Sequence, residues 1–144
     1  MSTALPIAAT PNPHFVRLGG EPAVARLVDA FYGAMDSRAD ARTIRAMHEA
    51  DLAHTKAVLV NYLCEWLGGP KRYSATRGTP MLRRRHHPFD IDDSARDAWM
   101  ACMRQALAET CTDAAQRAEL ESAFAKVAAH LRNTTVSPPT EGPR

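Results

Sequence analysis

Between Gly68 and Phe89 the chain is interrupted by Gly68-Gly69-Pro70, by Gly78-Thr79-Pro80 and by Pro88, so any helix held there is limited to about two turns. The Gly-then-Pro order is that of a helix ending. Thr79-Pro80 then has the form of an N-cap followed by proline at the first helical position, and Pro88 stops the short helix so begun. His86 falls at its end, on the face of Leu82 and Arg83. His87 stands directly before the proline, which biases its backbone away from the helix. A neutral imidazole on a short capped helix can ligate a metal. A lone histidine in a helical chain is more commonly a surface or satisfied core residue, so the rest of the sequence must decide.

The flanking segments carry the 3.6-residue period throughout, and no strand-type alternation persists. Val24, Leu27, Val28, Phe31, Tyr32 and Met35 share one face and predict a helix over 21–36, opened by Gly19-Gly20. A short helical stretch over 40–47 ends at His48. Leu52, Thr55, Leu59, Tyr62, Leu63 and Trp66 predict a longer helix over 51–67, and the aperiodic 71–79 reads as a long loop. Ala95, Trp99, Cys102, Met103, Ala106 and Leu107 place a helix over 93–109, capped by Asp92 or Asp93. Asp113-Ala-Ala-Gln116 resembles a capping box opening a last helix with Leu120, Phe124, Val127, Ala128 and Leu131 inward. The fold class is all-α.

A chain of 144 residues suits one domain, expected over 14–133, with a loose extension at 1–13 and a Pro-, Thr- and Ser-rich disordered tail at 134–144. Hydrophobic residues at 45% and charged residues at 24% are globular values, and no apolar run approaches a membrane span. The start MSTALPIAATPNP lacks the basic and sustained apolar regions of a secretory signal, which predicts a cytoplasmic protein. The run Arg83-Arg84-Arg85-His86-His87 resembles a nucleic-acid patch, but it has no interleaved aromatics and the net charge is only +2. Cys64, Cys102 and Cys111 form no CxxC pair; the first two fit helix packing, while Cys111 falls in a loop where it could react, though no neighbour in sequence argues for an activated thiol.

The run RHHPF, Arg85 to Phe89, resembles the R-H-x-P-F signature of group II truncated haemoglobins. LGGEP at Leu18 to Pro22, Phe31-Tyr32, WLGGPKRY at Trp66 to Tyr73 and RDAWMACM at Arg96 to Met103 follow that family's order and spacing. The resemblance implies a two-over-two helical sandwich enclosing haem b, with His86 as the proximal iron ligand and a first helix reduced to a stub. It further implies that Arg85 and Tyr73 contact the haem propionates, with Arg83 a further candidate and Arg84 in solvent; Leu82 and Phe89 belong to the same side of the pocket. Tyr32, Trp99 and His48 become the distal polar cluster. Tyr32 bonded to a backbone carbonyl and Trp99 as plain core are the structural alternatives. Thr55 stands where ordinary globins carry a distal histidine, which implies open ligand access. Leu59 and Tyr62 complete the distal wall, Tyr62 either touching ligand or only packing. Thr79 departs from the family's usual Gly-His-Pro.

The function so implied is reversible binding of O2, NO or another diatomic ligand, with three donors favouring retention over delivery. A haem redox enzyme, an NO dioxygenase or peroxidase, is the competing class. It would need an external reductase, because the chain has no flavin or nicotinamide fingerprint. A haem-free helical interaction protein is the third reading.

Overall fold

A five-residue helix, α1 at His14–Leu18, precedes α2 at Gly20–Ser37. The computed structural model describes residues 14–78, 86 and 91–131. The expected extension, the tail, the capped turn at Thr79-Pro80, and Leu82, Arg83, Arg84, Arg85, His87 and Phe89 lie outside the described residues. Gly19, at φ 123°, makes the bend between α1 and α2, and a Cβ there would stand 3.1 Å from that of Ala23.

A 3-10 turn, Ala39–Ala41, leads into the short α3, Arg42–Ala46, and then to α4, Ala53–Trp66. At the end of α4 the Gly69 N–H donates to the Cys64 carbonyl at 2.7 Å and the Gly68 N–H to the Glu65 carbonyl at 3.0 Å. With Gly68 at φ 99°, this is a Schellman ending, so the Gly-Gly-Pro signal acts as read. The Phe15 N–H donates to the Leu67 carbonyl at 2.8 Å, and its ring covers Gly69, fastening α1 to the end of α4.

Residues 71–79 are not one loop. They contain α5, Arg72–Arg77, held by Glu65, whose carboxylate accepts from the Ser74 N–H and hydroxyl, each at 2.8 Å. Six residues are too few to display a helical period, which is why the stretch read as irregular.

The last described helices are α6, Asp93–Thr110, and α7, Ala114–Leu131. Asp92 is the cap of α6, accepting from the Ala95 N–H at 2.8 Å. Asp113 accepts from the Gln116 N–H at 3.0 Å, but the buried Gln116 amide donates to the His14 carbonyl, so the reciprocal half of the box is not made. Cys111 lies between the helices as expected but is buried, as are Cys64 and Cys102.

Helix α2 packs on α6 and α4, and α6 packs on α7, so α2 is the central element. Val24, Leu27, Val28, Phe31 and Met35 are almost fully buried against Met103, Leu107 and Leu120. Among the described residues there is no strand, and no helix is long and apolar enough to cross a membrane.

Candidate haem pocket

Helix α4 shows where the core is left open. Its stripe is apolar, yet Leu59, Tyr62 and Trp66 are only half-buried while Leu63 and Cys64 are sealed. The half-buried side chains face a cavity of about 480 Å³, walled by α2, the α3 corner, α4, α5, α6 and α7. That is within the roughly 300–1,000 Å³ range of small-molecule and cofactor sites.

His86 is helical, half-buried and on this cavity. Tyr32, His48, Thr55, Leu59 and Tyr62 also line it, as do Tyr73 and Trp99. The described residues of the expected site are thus brought together. Those in 82–85 and at 89 lie outside the described residues.

The polar groups in this wall are short of partners. Tyr32 is 5% exposed, yet no acceptor meets its hydroxyl among the described residues. Burial first, and Glu49 second, push its phenol up to about 12, so at neutral pH it is a proton donor. The Trp99 indole N–H and the Tyr62 hydroxyl likewise lack an acceptor among the described residues. Burial raises the Tyr62 phenol, with Tyr73 and Glu65 adding to it. A buried donor left unpaired costs roughly 1–3 kcal/mol, and the buried Tyr32 with the half-buried Trp99 and Tyr62 on one apolar cavity marks a place for an acceptor-bearing ligand.

His48 differs. Its Nδ1 stands 2.8 Å from the Ile44 carbonyl and must donate to it, so the neutral ring presents an acceptor at Nε2 instead of the expected third donor. The Thr55 hydroxyl donates to the Glu49 carboxylate at the cavity edge and holds that carboxyl below its usual range. Tyr73 is buried, edge-on to Tyr62 at 5.5 Å between ring centroids, with the Arg77 guanidinium 6.0 Å from its ring.

Arg77 and His54 are among the lining residues that escaped the sequence reading. Arg77 is four residues after Tyr73 on α5 and shares its face, a signal lost with the helix itself. His54 leads the row His54, Val58, Tyr62 on α4, a spacing that could have found it; its Nε2 is 3.4 Å from Arg77.

The residues fit haem on three counts. The cavity has apolar walls, an imidazole at His86 and a cationic edge at Arg77. Among the described residues no three His, Cys, Asp or Glu side chains gather into a metal cage.

Residues 14–133 match the family model described as bacterial-like globin. The chain is 34% identical over 116 residues to a group 2 truncated hemoglobin of Bacillus subtilis, a span of 81% of this chain and 86% of that relative. It is similar to the solved cold-adapted truncated hemoglobin of Pseudoalteromonas haloplanktis, with a TM-score of 0.82 and 36% identity over 83% of this chain and 97% of that one. A group II 2-on-2 hemoglobin of Agrobacterium tumefaciens gives a TM-score of 0.80 and 38% identity, over 83% and 93% of the two chains. With its helices, its cavity and nearly its whole described length accounted for, the chain belongs to the bacterial-like globin family and is a haem b protein that binds O2.

Proposed function

We propose that this globin retains O2 instead of delivering it, with His86 as the iron ligand and Trp99, Tyr32 and Tyr62 as the donors that hold the gas. The observation that carries the reading is the set of three donors without acceptors among the described residues, all on one apolar cavity. Haem, when bound, supplies the iron at which a diatomic ligand binds. The protein would supply an imidazole from His86, hydrogen bonds from Trp99, Tyr32 and Tyr62, and apolar walls. Hydrogen bonds inside a dry pocket are strengthened by the low local dielectric, so each donor slows release. Oxygen transport needs quick release, and this pocket is built against it.

Arg77, beside Tyr73 at the cavity edge, is placed to pair with a propionate, and Arg83 and Arg85 remain candidates for the same task. A guanidinium suits a carboxylate because its planar donors match both oxygens.

The same retention supports a second reading, in which the held O2 is consumed by oxidising NO, or the pocket turns over peroxide. That reading requires an external reductase as electron donor and places the protein in the cytoplasm. Stopped-flow O2 release and NO consumption with a reductase present separate the two. Slow release with no NO-dependent turnover supports storage or sensing, slow release with fast turnover supports the enzyme, and fast release overturns retention.

A further inference from the structure

His48 is one helical turn from Ile44, and the 2.8 Å contact between its Nδ1 and the Ile44 carbonyl fixes its chemistry. A carbonyl oxygen has no proton to give, so Nδ1 carries the hydrogen and the neutral ring keeps a bare lone pair on Nε2. The ring lines the cavity and stands edge-on to Tyr32, centroids 5.7 Å apart at 74°. The Tyr32 hydroxyl is buried and has no acceptor among the described residues. A donor with no acceptor and an acceptor with no donor among the described residues therefore lie side by side on one wall.

We infer that His48 is an acceptor that competes with the gaseous ligand for the Tyr32 hydroxyl, a positioning residue that weakens O2 retention where a second donor would strengthen it. The inference rests on reading the cavity as the haem pocket with Tyr32 on the ligand side. No hydrogen bond joins the two side chains at rest, so Tyr32 turns either toward Nε2 or toward the ligand, and the balance sets how much of its donation the ligand receives. O2 accepts hydrogen bonds more strongly than CO, so the competition lowers O2 affinity more than CO affinity. His48 thereby tunes which gas the pocket prefers.

Two measurements on the haem-loaded protein test this. Nitrogen NMR of the CO complex, labelled at histidine and assigned by loss of signals in His48→Phe, reads the tautomer directly. A proton on Nδ1 and a bare Nε2 are expected; a proton on Nε2 overturns the inference. In stopped-flow release, His48→Asn keeps a donor for the Ile44 carbonyl and has no atom where Nε2 stands. It should slow O2 release about two- to tenfold, the effect of freeing one neutral hydrogen bond, and change CO release less. His48→Gln, with an amide oxygen near the Nε2 position, should return the parent rate. In a Tyr32→Phe background His48→Asn should change O2 release by less than about twofold, since nothing remains to compete for. Faster O2 release from His48→Asn in both backgrounds overturns the inference, because His48 would then donate to the ligand itself. Retention of haem by His86→Ala would instead sink the pocket reading and leave the tautomer result standing.

Discussion

The Trp99 indole stands edge-on to the Phe31 ring, centroids 5.2 Å apart at 61°. The Phe124 ring also tilts against it, centroids 5.8 Å apart. Phe31 and Phe124 are 1% and 2% exposed, so the indole packs against two rings that cannot shift without opening the core. Packing against these rings restricts the indole and so lowers the ordering cost of a hydrogen bond from its N–H.

Trp99→Phe keeps the aromatic packing and deletes the donor. O2 release should quicken about five- to thirtyfold, the equivalent of roughly 1–2 kcal/mol for a hydrogen bond whose donor is preorganised. Tyr32→Phe should have a smaller effect, because His48 already diverts part of that hydroxyl's donation. Stopped-flow displacement of O2 measures both, and a larger effect from Tyr32→Phe would show that the phenol is the principal donor.

Iron ligation is tested by the pair His86→Ala and His87→Ala. His86 faces the cavity, so its loss should remove most of the haem and collapse the Soret band, while His87→Ala keeps both. Arg77→Ala should retain the band yet transfer haem to an acceptor protein several-fold faster. An unchanged transfer rate would place Arg77 in solvent chemistry alone.

Helices long enough to repeat their period were readable from sequence: α2, α4, α6 and α7 fall within a few residues of the stripes that announced them. Helix α5 was not, because its six residues are specified by Glu65 capping Ser74 from another element, and such tertiary capping leaves no periodic trace. The resemblance named residues that line the cavity, but it did not give the character of one of them. Whether His48 donates or accepts depends on the Ile44 carbonyl opposite Nδ1, and a backbone partner is invisible in a list of side chains. The buried site of Cys111 likewise arises from the α6–α7 corner packing and not from its neighbours in sequence.

Gly69→Ala should destabilise the protein by about 1–3 kcal/mol, the usual cost of overpacking. An added Cβ would fall 2.6 Å from the Phe15 ring, close to the stem of that side chain as well as its edge. The ring cannot retreat easily, since the Phe15 N–H is bonded to the Leu67 carbonyl. Denaturant unfolding of Gly69→Ala, Phe15→Ala and the double variant measures the coupling. The double should be less destabilised than the sum of the singles, and strict additivity would mean that the two sites do not touch.

The last prediction concerns alkaline pH. Burial, aided by Glu49, raises the Tyr32 phenol from 10.0 to about 12. Below pH 10 the hydroxyl is protonated in folded and unfolded chains alike, and its contribution is intact. Between pH 10 and 12 the unfolded chain gives up this proton while the folded chain keeps it, so the unfolded state binds fewer protons and stability falls as pH rises. A shift of that size is worth about 3 kcal/mol across the window. Tyr32→Phe has no proton to lose, so its stability should decline less steeply over the same range, although both proteins share the effect of the raised Tyr62 phenol. Ultraviolet titration should lose one phenol of midpoint near 12 in the variant, and unfolding at several alkaline pH values should show the parent's excess loss. Parallel curves for the two proteins would mean that the Tyr32 hydroxyl is open to water and is not the buried donor on which retention of O2 depends.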